Sequence, residues 1–66
     1  MIKPGKEIEV YKMQNIKKMV ILEDERYSYL NFKPFTVLGQ TPCNSWKFLL
    51  TAKPLNDCIN YVEMYV

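Results

Sequence analysis

The chain contains no histidine, which removes the commonest general base and the commonest metal ligand together. It has two glycines, Gly5 and Gly39, too far apart to build a glycine-rich phosphate loop. Its two cysteines, Cys43 and Cys58, form no Cys-x-x-Cys pair and make a poor zinc site without histidine. No apolar run approaches the roughly 20 residues that span a bilayer. The opening Met1–Glu7 lacks the apolar centre of a secretory signal. The expectation is therefore a cytoplasmic protein with no membrane partner. Both thiols are then reduced and serve as small apolar side chains. Processing after secretion would instead let Cys43 and Cys58 bridge.

What is present describes a globular chain. Of 66 residues, 48% are apolar and 14% aromatic, too apolar for a disordered segment. The length allows one small domain over residues 1–66, burying only about 60% of its unfolded surface. The aromatics are large for so small a core, and the surplus would face a partner or a second copy. A homodimer is a further expectation on that ground.

The net charge of +2 is close to neutral and does not call for nucleic acid. It is distributed in blocks. Residues 1–18 hold five lysines against Glu7 and Glu9, and residues 19–32 hold Glu23, Asp24 and Glu25 against Arg26. Residues 33–53 hold only Lys33, Lys47 and Lys53, and residues 54–66 only Asp57 and Glu63. Such a chain predicts a surface with distinct basic and acidic regions. Lysine far outnumbers arginine, and asparagine, tyrosine and isoleucine are abundant while alanine occurs once. Those residues come from A/T-rich codons, which points to a low-GC genome such as that of a Firmicute, a bacteriophage or a virus.

Pattern and turn chemistry predict mostly strands. Lys6–Met13 alternates after the Pro4-Gly5 turn, and Gln14-Asn15 is the next turn signal. Met19-Val20-Ile21-Leu22 is apolar on both faces. With the alternating stretch Arg26–Phe32 it predicts a β-hairpin over residues 16–32. Pro34 interrupts, Phe35–Leu38 reads as a short strand ended by Gly39, and residues 40–45 as a loop. Trp46–Ala52 reads as a strand, with Trp46, Phe48 and Leu50 on one face and Lys47, Leu49 and Thr51 on the other. That assignment puts Trp46 and Phe48 in the core.

The last segment supports two readings. Leu55, Ile59, Val62 and Val66 recur at helical spacing, and Pro54 and Asp57 suit a helix start. Asn60, Tyr61, Val62 and Tyr65 are poor helix formers and favour a strand. The fold expectation is therefore mainly β, a small barrel or strongly bent antiparallel sheet of five to six short strands. The alternative is an α+β domain with a helix over residues 55–65.

No catalytic constellation emerges. Glu7 and Glu9 share a strand face but have no partner group, Cys43 has no base beside it, and Glu23-Asp24-Glu25 lacks the ligand spacing of a calcium loop. No enzyme activity, cofactor or metal is expected. The leading expectation is a non-enzymatic binding protein that occludes a protein partner through an aromatic patch of Tyr27, Tyr29, Tyr61 and Tyr65. The alternative is a single-stranded nucleic-acid binder using Lys12, Lys17, Lys18, Tyr27, Tyr29, Trp46 and Lys47.

Overall fold

A computed structural model describes residues 2–27, 34–52 and 54–66, except for the side chains of Tyr27 and Ala52. Its strands are β1 (Ile8–Glu9), β2 (Lys18–Glu23), β3 (Phe35–Gln40) and β4 (Trp46–Ala52), and its helix is α1 (Leu55–Glu63). A single 3₁₀ turn, Glu25–Tyr27, follows β2. The strands form one antiparallel sheet in the order β1-β2-β3-β4. The fold is thus mainly β, with one helix at the C-terminal end.

Three sequence expectations are corrected. The sheet is open, with β1 and β4 as its edges, and does not close into a barrel. Four strands, not five to six, are present among the described residues. Residues 55–63 are helical, as in the α+β alternative. The physical reason lies in which faces can be buried. As a strand, this segment would divide Cys58 and Val62 from Leu55 and Ile59. As a helix it gathers all four on one stripe, with Cys58 and Val62 completely buried. Packing overrides the weak helix propensity of the tyrosines and asparagine. Pro54 opens the helix with extended dihedrals, and Asp57 lies in the first turn, where the helix dipole favours an acid.

Of the hairpin expected over residues 16–32, the described residues hold the first strand, β2, and the turn after it. One edge of β2 is taken by β1 and by the Gly5 N–H, which donates to the Ile21 carbonyl at 2.7 Å, and the other by β3. Arg26 and Tyr27 lie in the 3₁₀ turn. The rest of the stretch, residues 28–32, lies outside the described residues. The first strand is also shorter than its alternation suggests. Beyond Glu9 the chain leaves the sheet, and the Tyr11 and Lys12 N–H groups donate to the Tyr65 carbonyl at 2.9 and 3.0 Å. The turn at Gln14-Asn15 is present, with Asn15 at φ 67°.

Direct cross-strand partners share a face, so the register sorts the side chains. Met19, Ile21 and Val37 face the helix and build the core with Val10, Ile16, Cys58 and Val62. Lys18, Val20, Leu22, Thr36, Leu38 and Gln40 occupy the opposite face. Cys58 lies in the core and Cys43 is exposed in the turn before β4. Cys58 is the small apolar residue expected, and Cys43 is not. No described helix is long and apolar enough to cross a membrane.

Candidate functional site

Of the large apolar side chains exposed among the described residues, Tyr11, Met64 and Val66 lie outside the strands, and Leu22, Trp46 and Phe48 lie on the face of the sheet turned away from the helix. A β-bulge puts Trp46 and Phe48 there. Between β3 and β4 the register shifts at Val37/Leu38, so that Val37 opposes Leu50 while Leu38 opposes Phe48. Leu49 is the extra residue. One inserted residue reverses the alternation, because side chains alternate with a period of two. Leu50 therefore joins the core, whereas Phe48 and Trp46 turn outward. Phe48 is 62% exposed and Trp46 41%. The expectation that both lie in the core is corrected, and so is the grouping of Leu50 with them.

The open face is laid out in cross-strand rows. One row reads Glu9, Lys18, Gln40 and Trp46, and the next Val20, Leu38 and Phe48. A third reads Leu22, Thr36 and Thr51, with Leu22 40% exposed. Thr36 is buried in that row and donates its hydroxyl to the Leu50 carbonyl at 2.8 Å. Leu22, Leu38, Trp46 and Phe48 thus share one face across β2, β3 and β4, beside Val20, which is buried in the same row as Leu38 and Phe48.

A charged clamp holds one side of this face. Asp24 is buried, and its Oδ1 accepts hydrogen bonds from the Arg26 backbone N–H at 3.1 Å and from Arg26 Nε at 2.8 Å. Arg26 Nη2 donates to the other carboxylate oxygen. This two-toothed fork fixes the guanidinium, which lies over the Phe48 ring 4.3 Å from its centroid. Hydrogen bonding from Arg26 holds the Asp24 carboxyl below the usual aspartate range.

The residues singled out in the sequence are scattered. Tyr61 and Tyr65 lie on α1 and just beyond it, half-buried against the core, with ring centroids 5.2 Å apart at 58°. Burial first, and then the neighbouring Tyr65, pushes the Tyr61 hydroxyl above its ordinary value. The strand that would have shown these rings to a partner is absent. The Tyr27 side chain and the whole of Tyr29 lie outside the described residues.

The lysines are divided as well. Lys18 shares the open face with Trp46, two strands away, and its Nζ lies 3.5 Å from a Glu7 carboxylate oxygen. Lys17 Nζ donates to Asn44 Oδ1 at 2.7 Å, at the same end of the sheet. Lys47 pairs with Gly39, whose missing side chain would point at Ile16 and Leu49, so Lys47 belongs to the helix-side face. Lys12 is exposed where its backbone joins the Tyr65 carbonyl.

Leu22, Leu38 and Arg26 were missed as site residues, and Phe48 was assigned to the core. The available signal was the apolar content of Met19–Leu22 and Val37-Leu38 in both strand phases. The helix covers only one of those phases, and on the other Val20 and Thr36 are buried while Leu22 is exposed. Among the described residues there is no pocket and no group of three or more His, Cys, Asp or Glu side chains placed to hold a metal. The candidate site is accordingly a surface. Comparison with protein-family models, curated proteins and solved structures returns no match.

Proposed function

We propose that the protein is a non-catalytic binding protein that docks on a protein partner through the open sheet face and occludes the partner's surface. The observation that carries this reading is the outward pair Trp46 and Phe48, neighbours on one face of β4, continued by Leu38 and Leu22. Tryptophan and other aromatics are the side chains that anchor protein interfaces, and arginine is commonly found among them. Arg26, held by Asp24, adds a fixed cation over Phe48. The block-charged, A/T-biased composition suits a cytoplasmic protein of a bacteriophage or mobile element, a class in which small occluding proteins recur.

The test is affinity capture with the 66-residue chain in parallel with its Phe48→Ser variant. A protein retained by the first and lost by the second supports the reading. Equal retention by both, or none by either, overturns it. A second reading draws on Trp46, Lys18 and Arg26, which share the open face as a stacking ring flanked by cations. Labelled single-stranded oligonucleotides, followed by anisotropy at low and moderate salt, separate the two. Salt-sensitive micromolar binding favours nucleic acid, whereas no binding at low salt removes it.

A further inference from the structure

The strand that carries Trp46 and Phe48 is also an edge. Among the described residues no strand pairs with β4 on the side away from β3. The direction of its free backbone groups follows from the register. The Thr41 N–H donates to the Ser45 carbonyl at 2.8 Å, so both groups point between the two chains, while the Gln40 carbonyl turns to the other side and accepts from the Lys17 N–H at 2.8 Å. Bonding directions alternate along an antiparallel ladder. Lys47, opposite Gly39, therefore turns its N–H and C=O toward β3, and Trp46 and Phe48 turn theirs out of the sheet. The same two residues offer aromatic rings on the open face and unpaired backbone groups at its border.

Charge selects what can pair there. From Tyr27 to Asn56 the sequence contains no acidic residue, only Lys33, Lys47 and Lys53. A strand added beside β4 would hydrogen-bond to Trp46 and Phe48. Its middle residue would then oppose Lys47 at a non-hydrogen-bonded position, where side chains approach most closely. The bulge at Leu49 confines regular pairing to Trp46, Lys47 and Phe48. A second copy fits poorly. The symmetric antiparallel register over these three residues sets Lys47 against Lys47, and like charges directly opposite are unfavourable.

Building on the proposed docking role, we infer that the β4 edge captures an extended segment of an acidic partner protein as a fifth strand. The segment carries an apolar–acidic–apolar triplet. Its acid pairs with Lys47 on the helix side, and its flanking apolar side chains lie beside Trp46 and Phe48 on the open face. Main-chain bonds supply the docking, and alternate side chains supply the selectivity.

A random heptapeptide library selected on the full chain tests this, with enriched peptides measured through the emission of Trp46, the single tryptophan. The expected result is enrichment of apolar–acidic–apolar triplets. Lys47→Glu then weakens their binding about tenfold. Replacing the peptide's acid by lysine restores binding to that variant. N-methylation of the peptide backbone at the triplet abolishes binding. No enrichment, enrichment of basic or helical peptides, indifference to Lys47→Glu, or a concentration-dependent dimer of the free chain in place of peptide capture each overturns the inference. Loss of binding in Phe48→Ser with indifference to Lys47→Glu removes the added strand while leaving the aromatic docking face standing. Indifference to both variants removes that face as well.

Discussion

The Arg26 guanidinium carbon lies 4.3 Å from the centroid of the Phe48 ring, and the same guanidinium forks the buried carboxylate of Asp24. This contact joins the turn after β2 to the edge strand across the open face. Replacing Arg26 by lysine keeps the charge but loses the planar fork and the stacked geometry. We expect Arg26→Lys to lose the cation–π contribution of about 0.5–1 kcal/mol and to shift the Trp46 emission. Urea denaturation read by that emission measures both. An unchanged midpoint together with an unchanged spectrum would show that the clamp contributes nothing.

The same clamp makes stability depend on pH. Hydrogen bonding to Arg26 lowers the Asp24 pKa in the folded chain, outweighing the opposing effect of burial. In the unfolded chain the group titrates near the ordinary aspartate value of about 3.9. The unfolded state therefore binds the proton first as pH falls. The stabilisation is complete above the unfolded pKa and is lost as pH falls through the folded one. Denaturation midpoints of the parent chain and of Asp24→Asn should differ at neutral pH and converge in acid. Parallel curves down to the acid limit would remove Asp24 as the cause.

Gly39 illustrates how tightly the bulge is packed. A Cβ there would meet Leu49 Cδ1 at 2.6 Å and Ile16 Cγ2 at 2.9 Å. Leu49 is only half-buried and is able to swing aside, whereas Ile16 belongs to the core. Gly39→Ala should cost about 1 kcal/mol, at the low end of overpacking penalties. In a Leu49→Ala background only the part of that cost due to Leu49 should vanish, leaving the contact with Ile16. Additive effects in a double-mutant cycle would contradict this.

The two thiols should react very differently. Cys43 is exposed and Cys58 is buried beneath α1. Under native conditions a thiol reagent should label one site quickly, and the second only as the chain opens. Peptide mapping that found equal labelling of both without denaturant would place Cys58 outside the core.

Adjacent residues on opposite faces separate folding from docking. Ile21 is buried against the helix, and Leu22 is 40% exposed on the open face. Ile21→Ala should cost about 2–5 kcal/mol, a large share of what a chain this size can hold. Leu22→Ala should cost far less and should weaken partner binding. Comparable losses of thermal stability in the two variants would show that the open face is part of the core.

The sequence by itself determined the elements that rest on local chemistry. The strand Trp46–Ala52 was legible between its turn and Pro54, and the turn at Gln14-Asn15 was legible from its polar residues. The buried strand of Met19–Ile21 was legible from its β-branched run, and the mainly β class from the spacing of its breaks. Only tertiary structure decided the rest. The helix won over a strand at residues 55–63 because a sheet surface was present to receive Leu55, Cys58, Ile59 and Val62 together. The partners of β2 were β1 and β3, pairings that only the folded sheet decides.

Most of the candidate site belonged to this second class. A single extra residue at Leu49 sent Phe48 and Trp46 outward and Leu50 inward. A bulge leaves no mark in hydrophobic periodicity, since it is defined by the strand opposite. The tyrosines at 61 and 65, conspicuous in the sequence, were drawn into packing by the helix that carries them. Periodicity fixed which side chains alternate, and only pairing with β3 fixed which of them meet water.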